Sequence, residues 1–242
     1  MKKAVLLAAL FLLSMVLVWT QEKKTKEIFM IGVEAPSFVA QSTSGEIDFP
    51  GDFGLSWKIL IAQPKAFTPV CSSELLELAY QQESFDALNA SLVIMVTDEL
   101  EQGKSWKMSV EEVDYKERGR VKVNFPIVED SYFKIANLYG MTNSGKKSVQ
   151  CIRGVFIIDP DNKLKSVFYY PIEVGINVDE LKRTLVALQT TYNNHNLVTP
   201  ANWQPGDDLM IPVISVIERE NMGNTESDLY QLSWFMTFKK EK

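Results

Sequence analysis

The segment Pro64-Lys65-Ala66-Phe67-Thr68-Pro69-Val70-Cys71-Ser72-Ser73-Glu74-Leu75 constrains this chain more than any other. It follows an apolar run, Trp57 to Ala62, with the composition of a buried strand. It leads into Ser73 to Leu88, whose spacing predicts an amphipathic helix. A strand, a proline-bearing loop and a helix form part of an α/β unit and put Cys71 in the first helical turn. There, free N–H groups and the positive end of the helix dipole face the sulfur. Both favour thiolate, the nucleophilic form. Thr68, three residues earlier, is close enough to set a hydroxyl beside the sulfur. Pro64 and Pro69 stiffen the loop, and Pro64 can screen the thiolate from water. The plainer alternative is a buried structural cysteine at a helix start.

The rest of the chain continues in α/β fashion. Ser91 to Thr97 is β-branched and apolar and reads as a second buried strand. Gln102 to Arg118 has helical spacing at Trp106, Val110 and Val113, and Phe125 to Val128 is a short extended piece. Tyr132 to Met141 has helical spacing and ends at Gly140. Arg153 to Ile158 and Leu164 to Phe168 are two strands around the turn Asp159-Pro160-Asp161-Asn162-Lys163. Val178 to Tyr192 is an amphipathic helix. This succession is the thioredoxin-like α/β pattern. No Cys-x-x-Cys occurs, which excludes dithiol exchange of the thioredoxin kind.

The pattern Pro-x-x-x-Thr-x-x-Cys over Pro64, Thr68 and Cys71 resembles the active-site signature of the peroxiredoxins, as does the string Phe67-Thr68-Pro69-Val70-Cys71. The stretch Cys151-Ile152-Arg153-Gly154-Val155-Phe156-Ile157-Ile158-Asp159-Pro160 is similar to the strand that brings an arginine to the sulfur in that family. The resemblance implies a catalytic set of Cys71, Thr68, Arg153 and Pro64. A guanidinium suits the place, because it stays charged and its planar fork holds two acceptors. Glu74 either orients groups around Arg153 or forms a plain helix-face salt bridge. Leu197 to Asp208 resembles the C-terminal arm of the one-cysteine subfamily, and the likeness spans roughly three quarters of the chain. It implies a thiol peroxidase that reduces hydrogen peroxide and organic hydroperoxides through a Cys71 sulfenic acid. An external thiol or thioredoxin-like protein would restore the thiol, with no metal or organic cofactor. A homodimer, or a higher ring, is the expected assembly. A redox-regulated holdase and a non-catalytic thioredoxin-fold binding module are the alternatives.

The chain departs from the family at several positions. The usual histidine before the first proline is Gln63, which hydrogen-bonds but does not titrate. The usual acid before Phe67 is Ala66. Ser56 and Asp161 match two positions of the phospholipase triad of some animal relatives, but the histidine position is Pro50, so no lipase is expected. The only histidine, His195, reads as a solvated loop residue. Cys151 lies two residues before Arg153, so strand alternation puts both on one face, with Cys151 about 7 Å further along. A disulfide needs Cα atoms within about 7 Å. Cys151 is then a small buried residue, or else a resolving thiol reached after local unfolding.

Met1-Lys2-Lys3 followed by the apolar stretch Ala4 to Val18 reads as a signal peptide over residues 1–20, or an uncleaved anchor. Either way the folded part is expected outside the cytoplasm, in a periplasm. The organisation is then a leader, a thioredoxin-like domain over 28–193 and a dimerisation arm over 194–242. The formal charge is −6, with no basic cluster long enough to follow a phosphate backbone, so nucleic acid is not an expected partner.

Overall fold

The computed structural model describes residues 31–144, 149–192, 194–215 and 228–241, with single residues 217, 220 and 222 between the last two segments. The expected leader, residues 1–20, lies outside the described residues. Among these residues, no helix is long and apolar enough to cross a membrane.

A seven-stranded mixed sheet runs through the fold in the order β2-β1-β5-β4-β3-β8-β9. Its strands are β1 (Phe38–Ser42), β2 (Gly45–Phe49), β3 (Trp57–Gln63), β4 (Ala90–Val96), β5 (Ile127–Glu129), β8 (Arg153–Ile158) and β9 (Leu164–Tyr170). β3 pairs in parallel with β4 and antiparallel with β8. Every residue of β3 is buried, because helices or aromatic groups cover both faces. Helices α1 (Pro69–Ala87), α2 (Leu100–Glu111) and α4 (Val178–Tyr192) contribute Leu75, Leu78, Trp106, Leu181 and Leu185 to one core. Ile59 and Ile61 of β3 and Val155 and Ile157 of β8 meet them there. The short helix α3 (Lys134–Leu138) leads to Tyr139, which packs edge-on against Phe156 with ring centroids 5.0 Å apart.

The central strands and α4 fall where the sequence predicts them. α2 is shorter than the Gln102–Arg118 expectation. It stops at Glu111: the backbone is already extended at Asp114 (φ −89°, ψ 92°), and Lys116 and Glu117 further on take left-handed φ of 56° and 57°, so the ladder does not reach Arg118. One lysine interrupts the apolar reading of β3. Lys58 is fully buried, and its ammonium reaches Gly54 O at 2.6 Å and Asn162 Oδ1 at 2.8 Å. Burial pushes its pKa down, against the pull of Asp159 and Asp161.

Cys151 does not continue the Arg153 strand. It belongs to β7 (Val149–Cys151), which among the described residues pairs with β6 (Thr142–Ser144) and not with the main sheet, so simple alternation along one strand does not hold. In the arm, β10 (Leu209–Ile211), β11 (Leu229–Ser233) and β12 (Met236–Lys239) form a three-stranded sheet in the order β10-β12-β11. Trp203 of the arm is buried. Its carbonyl accepts from Arg183 Nη1 at 3.0 Å and its indole donates to Asp207 O at 2.9 Å.

Candidate active site

Cys71 sits in the first turn of α1, just past the C-terminal end of β3, and is 1% exposed. Thr68 is the N-cap residue, in extended conformation, but its hydroxyl makes no capping bond. It donates instead to Lys65 O at 3.1 Å, back into its own loop. The first-turn N–H groups are thus left uncapped by Thr68 and offer a small anion site at the sulfur's end of the helix. Pro64 is half-buried at the mouth of the loop.

Two tethers that the sequence did not signal hold this loop to the end of β4. Thr97 Oγ1 donates to Pro64 O at 2.7 Å, and Ala66 N donates to Asp98 Oδ2 at 2.7 Å. Next to the second tether, Phe67 takes a left-handed φ of 58°, a strained place for a bulky residue. Trp106 of α2 steadies the helix from outside, its indole donating to Ser72 Oγ at 2.9 Å.

The register of β3 against β8 builds the rest. Ala62 faces Gly154, so Gln63 and Arg153 fall at the next step, at the same end of two adjacent strands. Arg153 is 1% exposed, and all three guanidinium nitrogens are engaged. Nη2 donates to Cys71 Sγ at 3.3 Å. Nε lies 2.9 and 3.0 Å from the two carboxylate oxygens of Glu74. Nη1 donates to the carbonyls of Pro171, Ile172 and Val174 at 3.0, 2.9 and 3.1 Å. The Arg153–Glu74 pair is therefore a buried ion pair and not a helix-face salt bridge. Glu74 also accepts from Ile176 N at 2.7 Å and from Gln63 Nε2 at 3.1 Å. Burial pushes the Glu74 carboxyl up; the Ile176, Arg153 and Gln63 contacts pull it down.

Cys151 is 7% exposed and its sulfur contacts Ile152 O at 3.4 Å. Burial, with Asp130 and Cys71 nearby, pushes its thiol up to about 12. Both cysteines are free thiols. The other sequence candidates do not gather. Ser56 donates to Phe53 O at 2.8 Å, Asp161 accepts from Tyr192 Oη at 2.8 Å, and His195 is exposed in a turn.

A buried cysteine at a helix start, under an arginine brought by the neighbouring antiparallel strand, defines a thioredoxin-fold thiol enzyme. Residues 31–167 match the model of the AhpC/TSA family, and residues 187–216 that of the C-terminal domain of 1-Cys peroxiredoxin. The chain belongs to the peroxiredoxin family and is a thiol-dependent peroxidase. It is 40% identical over 215 residues to a peroxiredoxin of Methanosarcina mazei, covering 88% of this chain and 98% of the relative. It is 34% identical to a 1-Cys peroxiredoxin of Dictyostelium discoideum over 75% of this chain and 73% of the relative. The yeast mitochondrial 1-Cys peroxiredoxin superposes with a TM-score of 0.77 at 33% identity, covering 88% of this chain and all of that one. The peroxiredoxin 6 of Arenicola marina superposes at 0.76 with 29% identity, covering 88% and 98%.

Proposed function

We propose that Cys71 is the peroxidatic thiol and that the chain works as a one-cysteine enzyme. The observation that carries this is the 3.3 Å contact between Arg153 Nη2 and the Cys71 sulfur, both nearly without solvent. The Cys71 thiolate attacks the distal oxygen of a hydroperoxide. An S–O bond forms as the O–O bond breaks, and the alkoxide or hydroxide takes a proton and leaves as alcohol or water. Sulfur is oxidised by two electrons to sulfenic acid. Arg153 and the N–H groups of Val70 and Cys71 hold the peroxide and stabilise charge developing on the leaving oxygen, and Thr68 joins them when its O–H turns from Lys65 O to the peroxide. Pro64 shields the site.

An external thiol then condenses with the sulfenic acid, releasing water, and a second thiol frees Cys71 as a thiolate. Cys151 is a poor resolving thiol because burial keeps it protonated. Peroxide consumption by the purified protein, with small thiols and thioredoxin-like proteins offered in turn, tests this. Cys71→Ser is expected to abolish it, and consumption persisting in that variant would contradict the assignment.

The chain acts as a homodimer, with residues 194–242 reaching the partner. The support is exposed apolar surface on the arm: Val213 at 79%, Leu232 at 69%, Trp234 at 81% and Phe235 at 64%. The protein is exported, a reading that rests on the basic start and the apolar run Ala4 to Val18. N-terminal sequencing of the protein from producing cells tests it: loss of about twenty residues is expected, and full-length protein in the cytoplasm would refute it.

A further inference from the structure

Gln63 is fully buried at the end of β3. Its nitrogen donates to Glu74 Oε2 at 3.1 Å and to Cys71 O at 3.4 Å. Both partners are acceptors, so the orientation of the amide is dictated by its surroundings and is not interchangeable. Its oxygen, Oε1, is buried and has no hydrogen-bond partner among the described residues.

An unpartnered acceptor in a dry site destabilises a fold, whereas an apolar side chain of the same shape would not. An amide retained there against that penalty implies a use for its nitrogen. That nitrogen ties the backbone at Cys71 to the carboxylate that grips Arg153 Nε, while Arg153 Nη2 holds the sulfur. We propose that Gln63 is a positioning residue for the peroxidase reaction, acting through Glu74 to fix the Arg153 guanidinium against Cys71. This rests on the reading of Cys71 and Arg153 given above.

The groups facing Glu74 fix the expected pH behaviour. They are Arg153 from β8, Tyr170 from β9, Cys71 on its own helix and the Ile176 N–H. Of these, Arg153 and the Ile176 N–H stabilise the ionised carboxylate, as does Gln63. Removing the Gln63 donor takes away one of the three, so Glu74 protonates at higher pH. A protonated Glu74 loosens its grip on Nε. The acid limb of the rate profile for Cys71 oxidation therefore moves to higher pH.

Gln63→Met and Gln63→His separate positioning from packing. Stopped-flow oxidation by hydrogen peroxide between pH 5 and 9 would be read beside thermal unfolding. Gln63→Met is expected to keep or raise the melting temperature while the rate at neutral pH falls about tenfold or more, with the acid limb displaced upward. Gln63→His retains an N–H donor and is expected to recover most of the rate, with an added titration near pH 6.5. A Gln63→Met protein with wild-type rate and wild-type pH profile overturns the proposal. So does one whose rate loss comes with a lowered melting temperature and an unmoved profile, since that is packing alone. If Gln63→Met does not fold, Gln63→Leu takes its place, and a wild-type rate with a wild-type pH profile in that variant overturns the proposal. Should the wild type oxidise at a residue other than Cys71, the reading of the site itself falls.

Discussion

Arg153 donates from Nε, Nη1 and Nη2 at once, which makes it the most constrained side chain of the site. A lysine has one compact charged head and matches neither the fork nor the three carbonyls. Arg153→Lys is expected to slow Cys71 oxidation by about 10²-fold, the usual loss when one aligned donor goes, as read by stopped-flow fluorescence. Arg153→Ala goes further, leaving the buried Glu74 carboxylate unpaired, and should destabilise the fold by about 3–5 kcal/mol in urea unfolding. For Cys151, a thiol pushed up to about 12 is almost wholly protonated at neutral pH. Iodoacetamide at pH 7 should label Cys71 well before Cys151, with Cys151 gaining only at strongly alkaline pH; equal labelling at pH 7 would contradict this. At this scale Cys71 and Arg153 were legible because a helix start and a strand start are local features. The Gln63–Glu74 contact was not, since it joins residues on different elements that only the β3–α1 geometry brings together.

The active-site loop is an element held from outside. Its own sequence shows two prolines and a cysteine, but its shape depends on Thr97 and Asp98 at the end of β4. Removing the carboxylate that accepts from Ala66 N–H loses a charge-assisted bond of about 1.5–3 kcal/mol and frees the strained Phe67. Asp98→Ala is expected to raise amide hydrogen exchange in residues 64–72 and to lower the peroxide rate, leaving exchange in β3 and β8 unchanged. Unaltered exchange in the loop would remove Asp98 from the account. Strands β3, β4 and β8 were legible because they are buried on both faces and read as continuous apolar runs. The hairpin β1–β2 was not, since its alternation is short and partly exposed. The end of α2 was misread for a different reason. Val113 continues the apolar period beyond Glu111, while the backbone has already left the helix.

For the whole molecule, the arm was legible through the likeness of Leu197 to Asp208 to the arm of the one-cysteine subfamily, but not as a sheet. β10 pairs with a strand more than twenty residues away, and no local pattern announces that. Part of the arm is spoken for within its own chain, through Trp203 and Arg183, while Leu232, Trp234 and Phe235 stay exposed. Deletion from residue 196 should therefore weaken self-association in sedimentation velocity, and a monomeric full-length protein would refute the dimer. Turnover through one cysteine is tested most directly by one equivalent of hydrogen peroxide without reductant, followed by dimedone and peptide mass spectrometry. The expected result is a dimedone adduct on Cys71 in high yield, with Cys151 still a thiol. A stoichiometric Cys71–Cys151 disulfide, or an unmodified Cys71, would contradict it.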